Sequence, residues 1–424
     1  MSNPTENRGD PLWRLHRKQL EDHQLERLNA LLASVASSSP LYRKKLGASA
    51  RELTGLHELK QLPTTTKQEL VEAASNDEWL SLPESDYIRF HQTSGTRGEP
   101  MVVPDTAADW AWWKATWRHT LRAAEIAPGD RALLAFSFGP FVGFWSAFDA
   151  LVDLGVQAIP AGGMSSSARL GLIARSDANR LFCTPSYALH LAGAGREAGI
   201  DVAGLPIETV VVAGEPGGSL PATRERIAEA WGARVVDHAG ATEIGPWGFG
   251  DDLWNDPPGL RIVESEFVAE FLAVEHGGDA QPGELAELVL TNLGRHGTPV
   301  IRYRTGDLVR PEWPSEGPCR FVRLPGGVVG RADDMLVVRG VNVFPSSIEE
   351  VLRGVDGVEE WRTTVERRGE MDELILEVED RLDDPARVVE ALRDRLGLRV
   401  TVRPAEPGSL PRSEHKSRRF RDNR

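Results

Sequence analysis

The period of the apolar positions changes several times along this chain, and each change marks an element. Residues 11–34 read as a helix, because Leu25, Leu28 and Leu32 share one face with charges elsewhere; 37–40 end it. Residues 87–90 and 101–103 read as short strands on either side of a glycine- and threonine-rich loop. Trp110, Trp113 and Trp117 repeat at helical spacing, a stripe expected in a core or a subunit contact rather than around a ligand.

From 131 onward strands and helices alternate. Residues 131–138, 156–159, 181–184, 209–213 and 234–237 read as strands, and 142–154, 185–194 and 221–231 as helices, with Pro185 suited to a first turn. Such alternation predicts a mostly parallel sheet covered on both faces, with ligands at the carboxyl ends of its strands. Between 264 and 330 the pattern is β-rich, with 287–290 and 300–303 strand-like.

A smaller unit follows. Ser346 and Glu349 have capping-box spacing, and Ile348, Val351, Leu352 and Val355 line one helix face. Trp361, Thr363 and Val365 alternate, as do Leu374, Leu376 and Val378. Pro385 opens a second helix that Gly397 ends, and Leu398, Val400 and Val402 alternate again. The expected fold is therefore α/β. A large N-terminal domain over 1–329 has mostly parallel sheets covered by helices plus a β-rich subdomain. A small, mobile α+β domain covers 330–424, and its Pro-, Ser- and Arg-rich tail, 404–424, reads as mobile.

Composition narrows the function. Of 424 residues 41% are hydrophobic and 26% charged, an ordinary soluble balance. A net charge of −14 argues against a general nucleic-acid or anionic-membrane binder, so an anionic ligand needs a locally built positive site. Two cysteines, Cys183 and Cys319, exclude a disulfide scaffold or a cysteine-rich zinc site and suit a reducing cytoplasm. Residues 1–10 have no apolar signal-peptide region. The longest uncharged run, 132–148, falls short of the roughly 20 residues of a membrane span and is broken at Gly139 and Pro140.

The candidate chemistry begins at Thr93, Ser94, Gly95, Thr96, Arg97, Gly98 and Glu99. This is either a plain turn or a loop whose free N–H groups and hydroxyls cradle a polyphosphate. Gly214, Glu215 and Pro216, like His238, Ala239 and Gly240, follow strands, where ligands of parallel sheets sit. Gly240, Ala241, Thr242 and Glu243 read as a helix start or, beside a polyphosphate, as an oxygen ligand for magnesium. Asp307, placed where a strand ends, is a turn residue or an acceptor for two vicinal hydroxyls. The segment 330–335 reads as a charged linker and Lys416 as a tail lysine.

In this order and spacing the segments resemble the adenylate-forming superfamily of acyl-CoA synthetases, luciferases and peptide-synthetase adenylation domains, and within it the phenylacetate–CoA ligase branch. The most specific stretches are GRADDMLVVRGVNVFPSSIEE over 330–350 and LPRSEHK over 410–416. The resemblance implies attack of a carboxylate on the α-phosphate of ATP, then transfer of the acyl group to a thiol after the small domain rotates. It places Thr93, Ser94, Gly95, Thr96 and Gly98 on the β- and γ-phosphates, Thr242 on the α-phosphate and Glu243 on Mg2+. It places Gly214, Glu215, Pro216, His238, Ala239 and Gly240 around the adenine, and Asp307 with Arg331 at the ribose. Asp333 is then the hinge, and Lys416 bridges carboxylate and α-phosphate in the first step only.

Three positions depart from the pattern: Ala239 replaces an aromatic residue, leaving adenine stacking to His238 or another ring; Glu99 replaces a lysine; and His415 replaces a glycine. Phe138, Phe141, Phe144, Tyr187 and Trp247 point to an aromatic or compact apolar acid. The favoured acceptor is coenzyme A, with no carrier domain fused and the chain ending soon after Lys416; a separate carrier protein or an amine is the alternative. A non-catalytic adenylate binder on the same scaffold is a second alternative, disfavoured by Glu243, Asp307 and Lys416. The resemblance also implies a homodimer.

Overall fold

The structure, a computed structural model, describes residues 11–49, 51–93, 100–332, 336–338, 341–343, 345–368, 371–396, 400–410 and 419–423. After a short 3-10 turn at Pro11–Arg14, helix α1 (Arg17–Ser38) buries Leu20, Gln24, Leu28, Leu31, Leu32 and Val35 at three- and four-residue spacing. The single helix expected over 11–34 is thus broken before His16. Ser39 is held extended by the proline after it, which ends α1, and its hydroxyl caps α2 (Pro40–Leu46). Helix α3 (Lys67–Ser75) opens on a capping box between Thr66 and Glu69.

Strands β1 (Tyr87–Gln92) and β2 (Val102–Thr106) form an antiparallel pair, and Thr106 with Asp109 boxes the start of α4 (Ala107–Ala123). The tryptophan stripe on α4 is core, as its spacing suggests. Each indole N–H also finds an acceptor: Trp110 on Asp149 (2.7 Å), Trp112 on Glu266 (2.6 Å), Trp113 on Asp105 (3.2 Å) and Trp117 on Ser146 (2.7 Å).

The alternating region supplies β3 (Arg131–Leu134), α5 (Trp145–Leu154), β4 (Gln157–Pro160), α6 (Ser166–Ser176), β5 (Arg180–Cys183) and α7 (Pro185–Glu197). It continues through β6 (Thr209–Ala213), α8 (Pro221–Trp231), β7 (Arg234–Ala241), β8 (Gly245–Gly250) and β9 (Gly259–Ile262). The β-rich part adds β10 (Phe267–Ala273), β11 (Ala286–Asn292), β12 (Tyr303–Val309), β13 (Arg323–Pro325) and β14 (Gly330–Arg331). The eight-stranded sheet runs β13-β9-β8-β7-β6-β5-β3-β4, parallel from β7 to β4, and a second sheet runs β10-β11-β12-β14.

Five sequence expectations are corrected here. β3 stops at Leu134, so 136–138 leave the sheet at its carboxyl edge, and α5 starts only at Trp145, after Gly143 turns the chain at φ 35°. Arg302 has φ 47°, so β12 begins at Tyr303 and Val300 and Ile301 precede it. Asp307 lies within β12 rather than in a turn beyond it. Thr242 and Glu243 start no helix: they bend β7 back into β8, and Gly245 at φ 116° supplies the turn.

The last part contains β15 (Leu336–Val338), β16 (Val341–Val343), α9 (Pro345–Gly354), β17 (Val358–Arg368), β18 (Met371–Asp380), α10 (Pro385–Leu396), β19 (Thr401–Pro404) and β20 (Phe420–Asp422). Ile348, Leu352, Trp361, Val365, Leu374, Leu376, Val378, Val388, Leu392 and Val400 share one core, matching the expected faces. The tail read as mobile is corrected in part, because β20 pairs in parallel with β17, Phe420 opposite Thr363, while β19 pairs with β18. Glu349 binds Arg353 and Arg419 (2.8 and 3.4 Å); the Ser346 side chain, Gly397 and Leu398 lie outside the described residues.

Candidate active site

The parallel strands present their carboxyl ends on one edge, and β3 is a switch point, with β4 on one side and β5 on the other. After β3, Phe138 meets Trp145 and Phe148 edge-on, at 4.7 and 5.9 Å between centroids, while Phe141 is 37% exposed. Phe144 is buried against Trp117, Phe136 and Phe182. After β5, Thr184 caps α7 and sets Tyr187 in its first turn, with the Tyr187 hydroxyl 3.2 Å from Ser166 Oγ and the Arg169 guanidinium 4.8 Å over its ring. Trp247 is 1% exposed within the large core, so its side chain is held by packing.

After β6, Gly214 takes φ 93°, a left-handed conformation that favours glycine. It lets Glu215 swing back onto α7, where its Oε1 accepts the Ser186 N–H at 2.6 Å. Burial pushes the Glu215 carboxyl above the ordinary glutamate range against the pull of that bond. Gly218 sits where a Cβ would come within 2.5 Å of Asp237. Burial raises Asp237 to about 6, while the Ser219 hydroxyl donates to it at 2.6 Å.

On β7 the sequence expectation for His238 needs correcting. Its ring stacks on Trp117 at 3.8 Å and its Nδ1 lies 3.0 Å from Thr120 Oγ1, so the ring faces the core and is spoken for. Burial lowers it to about 3, leaving the imidazole neutral near pH 7. Ala239 is half-buried and Gly240 exposed.

At the β7–β8 bend Glu243 is 8% exposed, and its Oε1 accepts from Lys67 Nζ at 2.7 Å and from the Tyr303 hydroxyl at 2.9 Å. Burial works to raise this carboxyl, but the Lys67 charge and the hydrogen bonds outweigh it and hold it below the ordinary glutamate value. Tyr303 is raised, by burial and by Glu243. Next door, the carbonyl of Thr242 accepts from Arg295 Nη1 at 2.9 Å. Arg295 is fully buried, pairs through Nη2 with Asp105 Oδ1 at 2.8 Å and lies over Trp113 at 5.5 Å.

Asp105 belongs to β2, so this arginine ties the bend to the β1–β2 pair. Thr93 closes that pair by donating its N–H to Met101 O (2.9 Å) and accepting the Met101 N–H on Oγ1 (3.1 Å). Ser94, Gly95, Thr96, Arg97, Gly98 and Glu99 lie outside the described residues, as do Asp333, His415 and Lys416.

Farther along β12 from Tyr303, Asp307 Oδ1 accepts from Arg331 Nη1 at 2.9 Å, and Arg331 Nη2 reaches Thr305 O at 3.2 Å. The two residues face each other across the β12–β14 pair. The structure therefore brings Thr93, Thr242, Glu243, Asp307 and Arg331 into one connected set through Asp105, Arg295 and Tyr303. Phe138, Tyr187 and Gly214 to Pro216 share the neighbouring strand ends.

Lys67, Tyr303 and Arg295 are the members that sequence reasoning passed over. Lys67 opens α3 and carries no motif of its own. What places it is Thr65, which bridges to Tyr303 and accepts the Arg304 N–H at 2.8 Å. Magnesium fits this set in one way. No cluster of three or more His, Cys, Asp or Glu side chains among the described residues could hold a metal, so a cation at Glu243 would depend on ligand phosphate oxygens, the usual habit of Mg2+. A cavity of about 520 Å3 lined by Trp254, Arg261, Trp313 and Arg323 includes none of these residues.

Residues 340–424 match the family model described as the AMP-binding enzyme C-terminal domain. The phenylacetate–coenzyme A ligase of Escherichia coli (strain K12) is 32% identical over 436 residues, covering 99% of this chain and 98% of that protein. A crystal structure of 2-hydroxyisobutyryl-CoA ligase in the postadenylation state, in complex with R3-HIB-AMP, is 26% identical. It covers 100% of this chain and 94% of its own, with a TM-score of 0.92. The same ligase with 2-HIB-AMP and CoA in the thioesterification state gives 0.74 at equal identity and coverage.

Proposed function

Since the chain belongs to the phenylacetate–CoA ligase family of adenylate-forming enzymes, we propose a role for each of its site residues in that family's two-step reaction. The protein is an AMP-forming acid–thiol ligase. A carboxylate oxygen of the acid attacks the α-phosphate of ATP and pyrophosphate leaves. The coenzyme A thiol then attacks the acyl carbon, loses its proton and displaces AMP. The observation that carries the residue assignments is the connected set running from Thr93 through Asp105 and Arg295 to Thr242, and from Glu243 through Tyr303 to Asp307 and Arg331.

In this reading Thr93 and the loop after it receive the β- and γ-phosphates. Arg295 fixes the Thr242 backbone so that its hydroxyl meets the α-phosphate. Asp307 takes the ribose hydroxyls and Arg331 steadies it. Gly214, Glu215 and Pro216 border the adenine with the backbone of His238, Ala239 and Gly240. Glu243, kept ionised by Lys67, would hold magnesium, which when bound neutralises phosphate charge. Lys416 stands between the two anions that must meet, shielding their repulsion and stabilising the charge that grows on phosphorus. A division into 1–329 and 330–424 with a hinge at Asp333 would let that lysine leave before thiol attack. That the relative is found in two arrangements, which this chain matches at TM-scores of 0.92 and 0.74, supports such a motion.

For the acid we propose an aromatic carboxylate, supported by Phe138, Phe141 and Tyr187 near the strand ends and by the acid in the relative's name. A homodimer and a cytoplasmic location belong to the same proposal; among the described residues no helix is long and apolar enough to cross a membrane. The test is ATP–pyrophosphate exchange across a panel of acids. Aryl acids should lead it, and preference for long-chain fatty acids or free amino acids would refute the aryl assignment.

A further inference from the structure

Two buried glutamates face each other in the small sheet: Glu360 on β17 is paired across the strands with Glu379 on β18, and they are 5% and 1% exposed. Like charges directly opposite in a strand pair oppose folding, and burying them adds a desolvation cost. What the carboxylates do is specific. Glu379 spends both oxygens on one stretch of backbone, Oε2 accepting the Gly408 N–H at 3.0 Å and Oε1 the Leu410 N–H at 2.7 Å. Glu360 spends both oxygens on Arg419, from its Nε and, at 3.0 Å, its Nη2.

Arg419 is further held over the Trp361 ring at 4.3 Å, by Glu349 at 3.4 Å and by its own carbonyl, which accepts the Thr363 N–H at 2.6 Å. Leu410 and Arg419 are the last described residue before, and the first after, the stretch that contains Lys416.

We propose that Glu360 and Glu379 are positioning residues for adenylation: a cross-strand carboxylate pair that pins both ends of the Lys416 segment to one point of the β17–β18 ladder. This rests on the reading of Lys416 given above. Holding Leu410 and Arg419 on neighbouring strands fixes where the chain on either side of Lys416 leaves and rejoins the small sheet, and so sets the reach open to that lysine. Misplacement of a catalytic group by about 1 Å costs on the order of 100-fold in rate. The thiol step, in which Lys416 takes no part, does not need the pins.

The test measures both half-reactions of the full chain, pyrophosphate exchange for adenylation and thiolysis of a supplied acyl-adenylate, in Glu379→Met, Glu360→Gln and Lys416→Ala, with melting temperatures alongside. Glu379→Met removes the carboxylate at similar volume but leaves the Leu410 N–H without its acceptor, so the fold should hold with a modest fall in melting temperature. It should lose exchange by roughly 10- to 100-fold with thiolysis kept within about 3-fold, and Glu360→Gln should follow it. Exchange retained within about 3-fold in both glutamate variants, or parallel loss of both half-reactions, overturns the proposal while a selective Lys416→Ala defect leaves the lysine reading standing. Equal loss of both steps in Lys416→Ala rejects that reading and this proposal with it.

Discussion

Lys67 Nζ lies 2.7 Å from Glu243 Oε1, so a carboxylate 8% exposed has a cation from the protein itself in contact. Because Glu243 titrates below the ordinary glutamate value, the contact stabilises the fold above that value and is lost as pH falls through the lower folded one. Lys67→Met leaves the carboxylate with the Tyr303 hydroxyl, and its pKa must rise. Pyrophosphate exchange near pH 7 should fall roughly 10- to 100-fold, the scale of losing a partner that holds a metal-binding carboxylate, and the acid limb of the pH–rate profile should move upward. Lys67→Arg should retain most activity. An unmoved acid limb in Lys67→Met would contradict this role.

Arg295 and Asp105 form an ion pair at 2.8 Å with side chains 0% and 1% exposed. Removing one partner strands the other charge in the core, so Arg295→Met and Asp105→Asn should each destabilise by about 3–5 kcal/mol in urea unfolding. The double variant should cost less than the sum, because it strands neither charge. The pair also sets the Thr242 carbonyl, so a double variant that folds should show a raised KM for ATP.

Asp307→Ala removes the proposed acceptor of the ribose hydroxyls and leaves Arg331 without its 2.9 Å carboxylate contact. KM for ATP should rise by roughly 10-fold or more with a smaller change in kcat, the mark of lost ground-state binding, and replacing ATP by 2′-deoxy-ATP should weaken the parent protein but make little further difference to the variant. Steady-state kinetics with both nucleotides checks this.

The Asp252 carboxylate is buried, with Oδ2 3.3 Å from Arg234 Nε and no hydrogen-bond partner for either oxygen among the described residues, and burial raises it to about 6 against the pull of Arg234 and Arg224. With the folded pKa above the unfolded one, the folded state binds the extra proton, so this stabilisation is present below pH 4 and lost as pH rises through 6. Asp252→Asn should flatten the fall in stability between about pH 4 and 6 by 1–3 kcal/mol, read from urea midpoints across that range. An unchanged slope would sink the assignment.

The parallel sheet was legible because each strand is a short β-branched or apolar run closed by proline, glycine or polar residues, as at Thr209–Ala213 followed by Gly214. The family resemblance, not local pattern, grouped Thr242, Glu243, Asp307 and Arg331; the structure sets Thr242 and Glu243 in one bend and pairs Asp307 with Arg331 across β12 and β14. What escaped was long-range and side-chain specific. Nothing local in Thr65, Thr66 and Lys67 announces that Thr65 pairs with Tyr303 and so carries Lys67 to Glu243, far away in sequence. His238 was open to misreading because alternation along β7 does not say that Trp117 from α4 will cover its ring. Asp307 looked like a turn residue because the β12–β14 partner is only two residues long.

The central claim, acid activation through an acyl-adenylate and then thioester formation, is tested most directly by product stoichiometry. With ATP, phenylacetate and coenzyme A, the protein should form AMP, pyrophosphate and the acyl-CoA in equal amounts. With coenzyme A omitted, it should accumulate about one acyl-adenylate per active site, visible by mass spectrometry in a quenched single turnover. Formation of ADP and phosphate, or of acyl-CoA with no adenylate in the CoA-free reaction, would contradict the account.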